Sequence, residues 1–197
     1  MSNLVTKTKI KDAFRELTSQ SSFAKVKVAD IIAKAGISRM TFYRYYLDKY
    51  HLLEETLYDD FTRFENIYGK NVTWKDMVMS ILYVICNNKP FYKKILEDSE
   101  AKEYYFETSR RISYQYTGDT AENGTYIAWE GTLSQWAQND FRETPEEVYR
   151  TVVSNLPLRE VLSGQELERA IQKYESTTME DLSRRPSGLR KTIRAPN

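Results

Sequence analysis

The stretch FAKVKVADIIAKAGISRMTFYRYYLDKYHLL, residues 23–53, contains two short helical patterns separated by a glycine. In the first pattern, residues 28–35, apolar side chains recur at the spacing of one buried helix face: Val28, Ile31, Ile32 and Ala35. Gly36 ends this helix, because glycine adopts the left-handed conformation without steric cost. Ser38 can accept a hydrogen bond from the free amides that open the next helix. The pattern therefore predicts a helix-turn-helix that presents its second helix to the major groove of DNA.

The same segment resembles the TetR family of one-component transcriptional regulators. The resemblance rests on three pieces, IIAKAGIS (31–38), T-F-Y (41–43) and Y-Y-x-D-K-x-x-L-L (45–53), and extends over about residues 6 to 58. Two positions depart from the usual family pattern. Ile32 stands where alanine is common, and Met40 stands where a small residue is common. Because Met40 opens the recognition helix, an operator sequence cannot be carried over from a relative.

Composition predicts an all-α fold in a single cytoplasmic chain. The 197 residues include 7 glycines and 5 prolines, and no long stretch alternates apolar and polar residues. No run of about 18 apolar residues suggests a membrane span, and the N-terminus lacks the apolar core of a signal peptide. Cys86 is the single cysteine, which excludes an internal disulfide and fits a reducing compartment.

The charge is distributed unevenly along the chain. Residues 1–50 contain ten lysines and arginines against four acids, so this segment carries +6 although the whole chain carries +1. Chance clustering of solvated charges is the alternative reading. Together with the helix-turn-helix, however, the distribution favours a phosphate-binding head on an acidic regulatory body.

We expect three regions: a helix-turn-helix domain over residues 1–50, a helical regulatory and dimerisation domain over 51–176, and a disordered basic tail over 177–197. Helical spacing predicts a first helix over 7–18 and a connecting helix from Asp48 to about Tyr68. In the body it predicts helices from Thr73, over 91–97 and 100–116, over 125–138, and from Thr144 to about Asn155.

The helices over 125–138 and 145–155 look like the dimerisation pair of the TetR family. Small residues in the first would let two helices approach closely while tryptophan and leucine fill the seam. The alternative is that both are ordinary core helices. A protein that recognises a two-fold symmetric operator must be a dimer, which favours the interpretation of these two helices as a dimer interface.

The DNA contacts are expected to divide between phosphates and bases. Lys27, Thr41, Tyr43 and Lys49 match positions at which the family contacts the DNA backbone. The exposed face of the recognition helix would read bases, and its members are Arg39, Met40, Thr41, Arg44 and Tyr45. The alternative role for Arg44 is a salt bridge to Asp48, four residues later. Phe42 and Tyr46 lie on the opposite face and are expected in the core.

The family resemblance implies a small-molecule pocket in the body, whose ligand would release a homodimeric repressor from its operator. Aromatic side chains combine apolar area with a polar group, and the candidate pocket residues are Trp74, Tyr83, Cys86, Tyr104, Tyr105, Tyr126 and Trp129. The alternative is that the body binds a protein partner. An enzyme is not expected: His51 and Cys86 are the only histidine and cysteine, so no Cys/His zinc site, other metal site or cofactor is predicted.

Overall fold

The computed structural model of the chain describes residues 3–63, 72–117, 123–155, 164–176 and 178. A 3-10 turn over Phe23–Lys25 precedes α2. The α-helices, in chain order, are α1 Asn3–Gln20, α2 Val28–Ala35, α3 Arg39–Tyr45, α4 Lys49–Phe61, α5 Trp74–Asn87, α6 Lys89–Glu97, α7 Ser99–Thr117, α8 Asn123–Gln138, α9 Pro145–Ser154 and α10 Gly164–Ser176. No strand occurs in these ranges, which confirms the all-α prediction.

The N-terminal domain is formed by α1, α2 and α3 around a small aromatic core. Helix α1 packs across α2, and α2 packs on α3. Phe14 and Phe23 meet edge-to-face with their ring centroids 6.1 Å apart. Ile31 of α2 and Phe42 of α3 are both fully buried. This core fixes the recognition helix α3 against the other two helices.

The turn between α2 and α3 has the geometry that the sequence predicts. Gly36 adopts φ 62° and ψ 42°, the left-handed conformation that ends α2. The Ser38 side chain accepts a hydrogen bond from the amide of Thr41 at 3.0 Å. Ser38 therefore caps the recognition helix, as expected.

Helix α4 leaves the N-terminal domain and enters the body, where it packs against α7 and α5. Leu53, Leu57 and Phe61 are buried on its apolar face. The predicted end of this helix near Tyr68 lies outside the described residues. Because α4 begins at Lys49, the expected domain boundary after residue 50 falls within its first turn.

In the body, α5 packs against α4, α9 and α10, and α6 packs between α1, α7 and α8. Thr73 caps α5 by accepting a hydrogen bond from the amide of Asp76 at 3.1 Å, and Asp76 accepts one from the amide of Thr73 at 3.0 Å. Thr144 and Glu147 form the same reciprocal pair at the start of α9. These capping boxes confirm where the sequence predicts the two helices to start.

Several helices are longer than predicted, mainly because helix ends lack a strong sequence signal. Helix α1 begins at Asn3 and ends at Gln20, α6 begins at Lys89, and α8 begins at Asn123. Helix α10 was not predicted at all. Thr178 forms an isolated antiparallel bridge with Thr73, so it departs from the disorder expected for 177–197. The rest of that predicted tail lies outside the described residues.

Candidate nucleic-acid interface

The recognition helix α3 buries one face and exposes the other. Phe42 and Tyr46 are buried, at 0% and 1% exposure, which confirms their predicted place in the core. Met40 is 73% exposed, and Arg39 and Arg44 are also exposed. This exposed apolar side chain lies between the two cations along α3. The exposed face thus offers hydrogen-bond donors for base edges and an apolar group for a thymine methyl.

The remaining predicted side chains of α3 lie at the edges of this face. Tyr43 is exposed, and the Arg39 guanidinium lies 5.5 Å from the centre of its ring. Thr41 is half-buried, with its hydroxyl 2.8 Å from that of Ser38. Tyr45 is half-buried and packs against the core. The structure therefore brings five of the predicted contact residues, 39, 40, 41, 43 and 44, onto one surface and places Tyr45 partly beneath it.

The junction between α3 and α4 is held by hydrogen bonds to two side chains. The Asp48 carboxylate accepts from the amides of Tyr50 at 2.9 Å and His51 at 2.8 Å. The amide of Leu47 donates to Nδ1 of His51 at 3.2 Å. Asp48 caps α4, and among the described residues it forms no ion pair with Arg44. Arg44 is therefore not held by the alternative salt bridge.

Lys49 lies against the backbone of the 3-10 turn. Its Nζ donates to the carbonyl oxygens of Phe23 at 2.9 Å and Ala24 at 3.2 Å, and lies 4.4 Å from the centre of the Phe23 ring. Burial lowers the pKa of Lys49, although the carboxylates of Asp98 and Glu100 oppose that shift. Lys49 thus links α4 to the turn before α2. Its phosphate contact stays a prediction, and it would have to share these hydrogen bonds with DNA.

Lys27 occupies the position before the first residue of α2. Its backbone amide donates to Oδ2 of Asp30 at 3.2 Å, and its side chain is exposed. A cation at a helix N-terminus adds to the positive field of the free amides there. Lys27 is therefore well placed for the predicted phosphate contact, which stays a prediction.

The cations of the N-terminal domain fall into two groups. On α1, Lys7 pairs with Glu55 at 3.5 Å, Lys11 with Asp59 at 2.5 Å and Arg15 with Asp60 at 2.7 Å, and Lys34 pairs with Glu16 on α1. A second group forms no ion pair within the described part of the chain: Lys9, Lys25, Lys27, Arg39 and Arg44. Much of the charge counted from the sequence is thus already neutralised by α4.

The sequence patterns missed a cluster that joins Arg15 of α1, Asp60 of α4 and Tyr92 of α6. Burial lowers the pKa of Arg15, but the facing Asp60 carboxylate outweighs it, so the pKa is raised. Burial, reinforced by the same carboxylate, holds the pKa of the Tyr92 hydroxyl well above its ordinary value. The sequence contains only a weak signal for this cluster: Arg15 follows the buried Phe14, and Asp60 precedes the buried Phe61.

The candidate ligand residues do not gather in one place. Trp74 is buried with its ring 5.9 Å from that of Tyr149 on α9. Tyr105 is buried against Phe61, with centroids 5.1 Å apart. Tyr104 is half-buried with its ring 5.2 Å from that of Tyr50. Trp74 therefore lines the contact between α5 and α9, whereas Tyr104 and Tyr105 both line the contact between α4 and α7.

The other candidates are equally dispersed. Tyr83 is 46% exposed, and its hydroxyl donates to Glu146 on α9. Cys86 is half-buried against the core. Trp129 is 8% exposed, and its Nε1 is buried without a hydrogen-bond partner among the described residues. The side chain of Tyr126 lies outside the described part of the structure. The ligand site stays a prediction, and Trp129 is one candidate whose polar group has no hydrogen-bond partner among the described residues.

The predicted dimer seam needs a correction in its composition. Trp129, Leu133 and Trp136 of α8 are buried within a single chain, and Trp136 Nε1 donates to the carbonyl of Glu143 at 3.0 Å. These side chains pack on the chain's own helices, so they do not fill a seam with a second copy. The exposed face of α8 instead presents small and polar residues, including Gly131, Gln135 and Gln138.

Within the described ranges, no group of three or more histidine, cysteine, aspartate or glutamate side chains is arranged to hold a metal ion. None of the helices described combines the length and apolar character needed to cross a bilayer.

A three-helix N-terminal domain with a capped, outward-facing α3 defines a helix-turn-helix DNA-binding protein. Residues 10–56 match the family described as "Bacterial regulatory proteins, tetR family". This match confirms the resemblance noted in the sequence and identifies the N-terminal domain as a DNA-binding domain of the TetR type. The family and the relative described next are regulators rather than enzymes.

The chain is 28% identical over 104 residues to the HTH-type dhaKLM operon transcriptional activator DhaS of Lactococcus lactis subsp. lactis (strain IL1403). That alignment covers 53% of this chain and 56% of the relative, so it spans little more than half of either protein. A solved structure, "Dihydroxyacetone kinase operon activator DhaS", superposes with a TM-score of 0.61 over 88% of this chain and 100% of that chain, at 19% identity. At that identity the superposition supports the shared fold alone.

Proposed function

We propose that the chain is a homodimeric regulator that reads a two-fold operator with α3 and responds to a small molecule bound by its body. The exposed face of α3 supports this proposal. There, Arg39 and Arg44 form no ion pair with described residues, and they flank the exposed side chain of Met40. The core contacts of Phe42 hold this face in one orientation. Pre-positioned cations and an apolar group are what direct reading of base edges requires.

Selection from randomised and genomic DNA at near-physiological salt tests the operator reading. A palindromic motif with half-sites about one helical turn apart is the expected result. Binding that depends on salt but not on sequence would contradict it. The genes next to the bound genomic sites would then indicate which metabolites to test as ligands.

The dimer is proposed to form through the exposed faces of α8 and α9. Gly131 is exposed, and a Cβ built on it meets nothing within 4 Å, so a larger side chain there leaves the chain's own packing intact. We expect Gly131→Arg to weaken the dimer in sedimentation measurements, whereas Glu107→Arg on the exposed surface of α7 should not. A dimer unaffected by Gly131→Arg would exclude this face of α8.

The ligand is proposed to accept a hydrogen bond from Trp129. Buried polar groups in proteins are ordinarily paired, and both Trp129 Nε1 and the Thr132 hydroxyl are buried without a partner among described residues. Thermal stabilisation by a metabolite library identifies the ligand. Trp129→Phe keeps an aromatic ring but removes the N–H, so it should weaken that stabilisation. Trp136→Phe is the matched control, because Trp136 Nε1 already donates to Glu143.

The direction of regulation separates two versions of this function. The family resemblance favours a repressor released by its ligand. The relative from Lactococcus lactis that is 28% identical is an operon transcriptional activator, which favours activation as the second candidate. A promoter reporter carrying the selected operator distinguishes them: deletion of the gene raises expression for a repressor and lowers it for an activator. A body that binds only a protein partner would show no stabilisation by any metabolite.

A further inference from the structure

Three helices meet at one buried carboxylate. Asp60 of α4 is 7% exposed, and its Oδ2 accepts a hydrogen bond from Arg15 Nη2 of α1 at 2.7 Å. The hydroxyl of Tyr92, on α6, donates to the same oxygen, and Tyr92 is completely buried. We refer to these residues as the Arg15–Asp60–Tyr92 cluster. It connects the N-terminal domain, the connecting helix and the body at a single point.

Next to the cluster, α1 and α6 also meet through aromatic side chains. Phe14 and Phe91 meet edge-to-face at 5.7 Å, and the Arg15 guanidinium lies 4.9 Å from the centre of the Phe91 ring. Edge-to-face aromatic pairs stay favourable over centroid distances of about 4.5–7 Å, so they tolerate small changes in the angle between two helices. The hydrogen bonds of the cluster are directional, so they restrict the angle.

The energetics also argue against a role in stability alone. A buried ion pair is often no more stabilising than apolar residues of the same volume, because removing the two charges from water costs several kcal/mol. Here one guanidinium nitrogen, Nη1 of Arg15, is buried without a hydrogen-bond partner, so even this cost is not fully offset. Such a cluster contributes orientation more than stability.

We propose that the Arg15–Asp60–Tyr92 cluster sets the angle at which the N-terminal domain is held on the body, and thereby the half-site spacing that a dimer accepts. This inference rests on the proposed dimeric operator reader. Asp60 lies eleven residues after Lys49, about 16 Å along α4. A change of angle at Asp60 is therefore carried to the recognition helix through a rigid lever, and the two recognition helices of a dimer move apart or together.

The variant that tests this is Tyr92→Phe, which removes one hydroxyl and keeps the ring that packs against Phe91 and Tyr105. The probe is a set of duplexes carrying two copies of the selected half-site with the spacing varied one base pair at a time. Wild type should prefer one spacing by at least about tenfold, equivalent to ~1.4 kcal/mol. Tyr92→Phe should reduce that preference to a few-fold, while base preference within each half-site stays unchanged.

Tyr149→Phe is the matched control. The Tyr149 hydroxyl donates to the Glu175 carboxylate at 2.5 Å, and Tyr149 is also buried, but this bond joins α9 and α10 within the body. The same loss of a tyrosine–carboxylate hydrogen bond should leave the spacing preference intact. A purely structural role would make the two variants behave alike.

Asp60→Asn provides a second variant should Tyr92→Phe fold poorly, since the amide oxygen still accepts from Arg15 while the charge is lost. A wild-type spacing profile in both cluster variants would overturn the inference and leave the dimeric operator reader standing. If the wild-type protein binds single half-sites and prefers no spacing, the proposed dimeric DNA-binding regulator is wrong, and the inference fails with it.

Discussion

The cations of helix α1 and those of the recognition helix belong to one basic segment but have different neighbours. Lys7, Lys11 and Arg15 lie against carboxylates of α4, whereas Arg39 and Arg44 form no ion pair among the described residues. A cation that already faces a carboxylate attracts a phosphate less. The charge of +6 over residues 1–50 therefore overstates the positive field that DNA meets. Pairing with α4 leaves the available positive charge on α3, on the turn before α2 and on Lys9 of α1.

The largest expected effect comes from removing Asp60, the buried carboxylate that pairs with Arg15 of α1. Asp60→Ala leaves the Arg15 cation and the Tyr92 hydroxyl buried without their acceptor, so unfolding free energy should fall by about 3–5 kcal/mol. Urea denaturation followed by circular dichroism measures it. Asp59→Ala is the adjacent control: the Asp59 side chain is 60% exposed, and its pair with Lys11 should contribute less than about 1 kcal/mol. Equal losses would show that burial does not distinguish the two pairs.

On the recognition helix, Arg44→Ala should weaken binding to the selected operator by about 1–3 kcal/mol with little change in unfolding. The physical reason is loss of a base contact by an exposed side chain that supports no core packing. Fluorescence anisotropy on operator and random duplexes measures both affinities. An identical loss on the two duplexes would remove Arg44 from base reading.

The turn that orients the unpaired cations can be tested through Gly36. Its φ of 62° is unfavourable for a residue with a Cβ, so Gly36→Ala should cost about 1–2 kcal/mol of stability. Gly36→Asn should cost less, because asparagine tolerates the left-handed conformation. Thermal unfolding compares the two. If alanine and asparagine prove equally stable, strain at this turn is not what specifies glycine.

The smallest expected effect distinguishes a paired from an unpaired lysine. Lys27→Ala should reduce the slope of log affinity against log salt by about 0.9, the contribution of one phosphate contact. Lys7→Ala should change the slope less, since Lys7 faces Glu55. Titrations at four or five salt concentrations measure both slopes. The opposite order would mean that α1 rather than α2 meets the phosphates.

The helix-turn-helix could be predicted from the sequence because its determinants are local. Val28 and Ala35 bound a single periodic pattern, and Gly36 and Ser38 act within three residues of the ends that they specify. The starts of α5 and α9 could be predicted for the same reason, from capping residues three positions apart.

The Arg15–Asp60–Tyr92 cluster could not be predicted, because its hydrogen bonds join residues 45 and 32 positions apart. No periodic pattern distinguishes a charged residue that will be buried from one that stays solvated. For a similar reason, the sequence left open whether Trp129 and Trp136 are buried within one chain or in a seam with a second copy. Spacing shows which residues share a helix face, but not whether that face meets its own chain or a second copy.

The hydrogen bond from the Leu47 amide to Nδ1 of His51 has a practical consequence. Nδ1 of the His51 imidazole acts as the acceptor in this contact, so the ring is tied to the backbone at that point. His51 is the only histidine in the chain, and it lies at the junction where the recognition helix ends. Its imidazole resonances therefore form an isolated set in a nuclear magnetic resonance spectrum. They provide a built-in spectroscopic reporter of how that junction responds when the protein meets DNA.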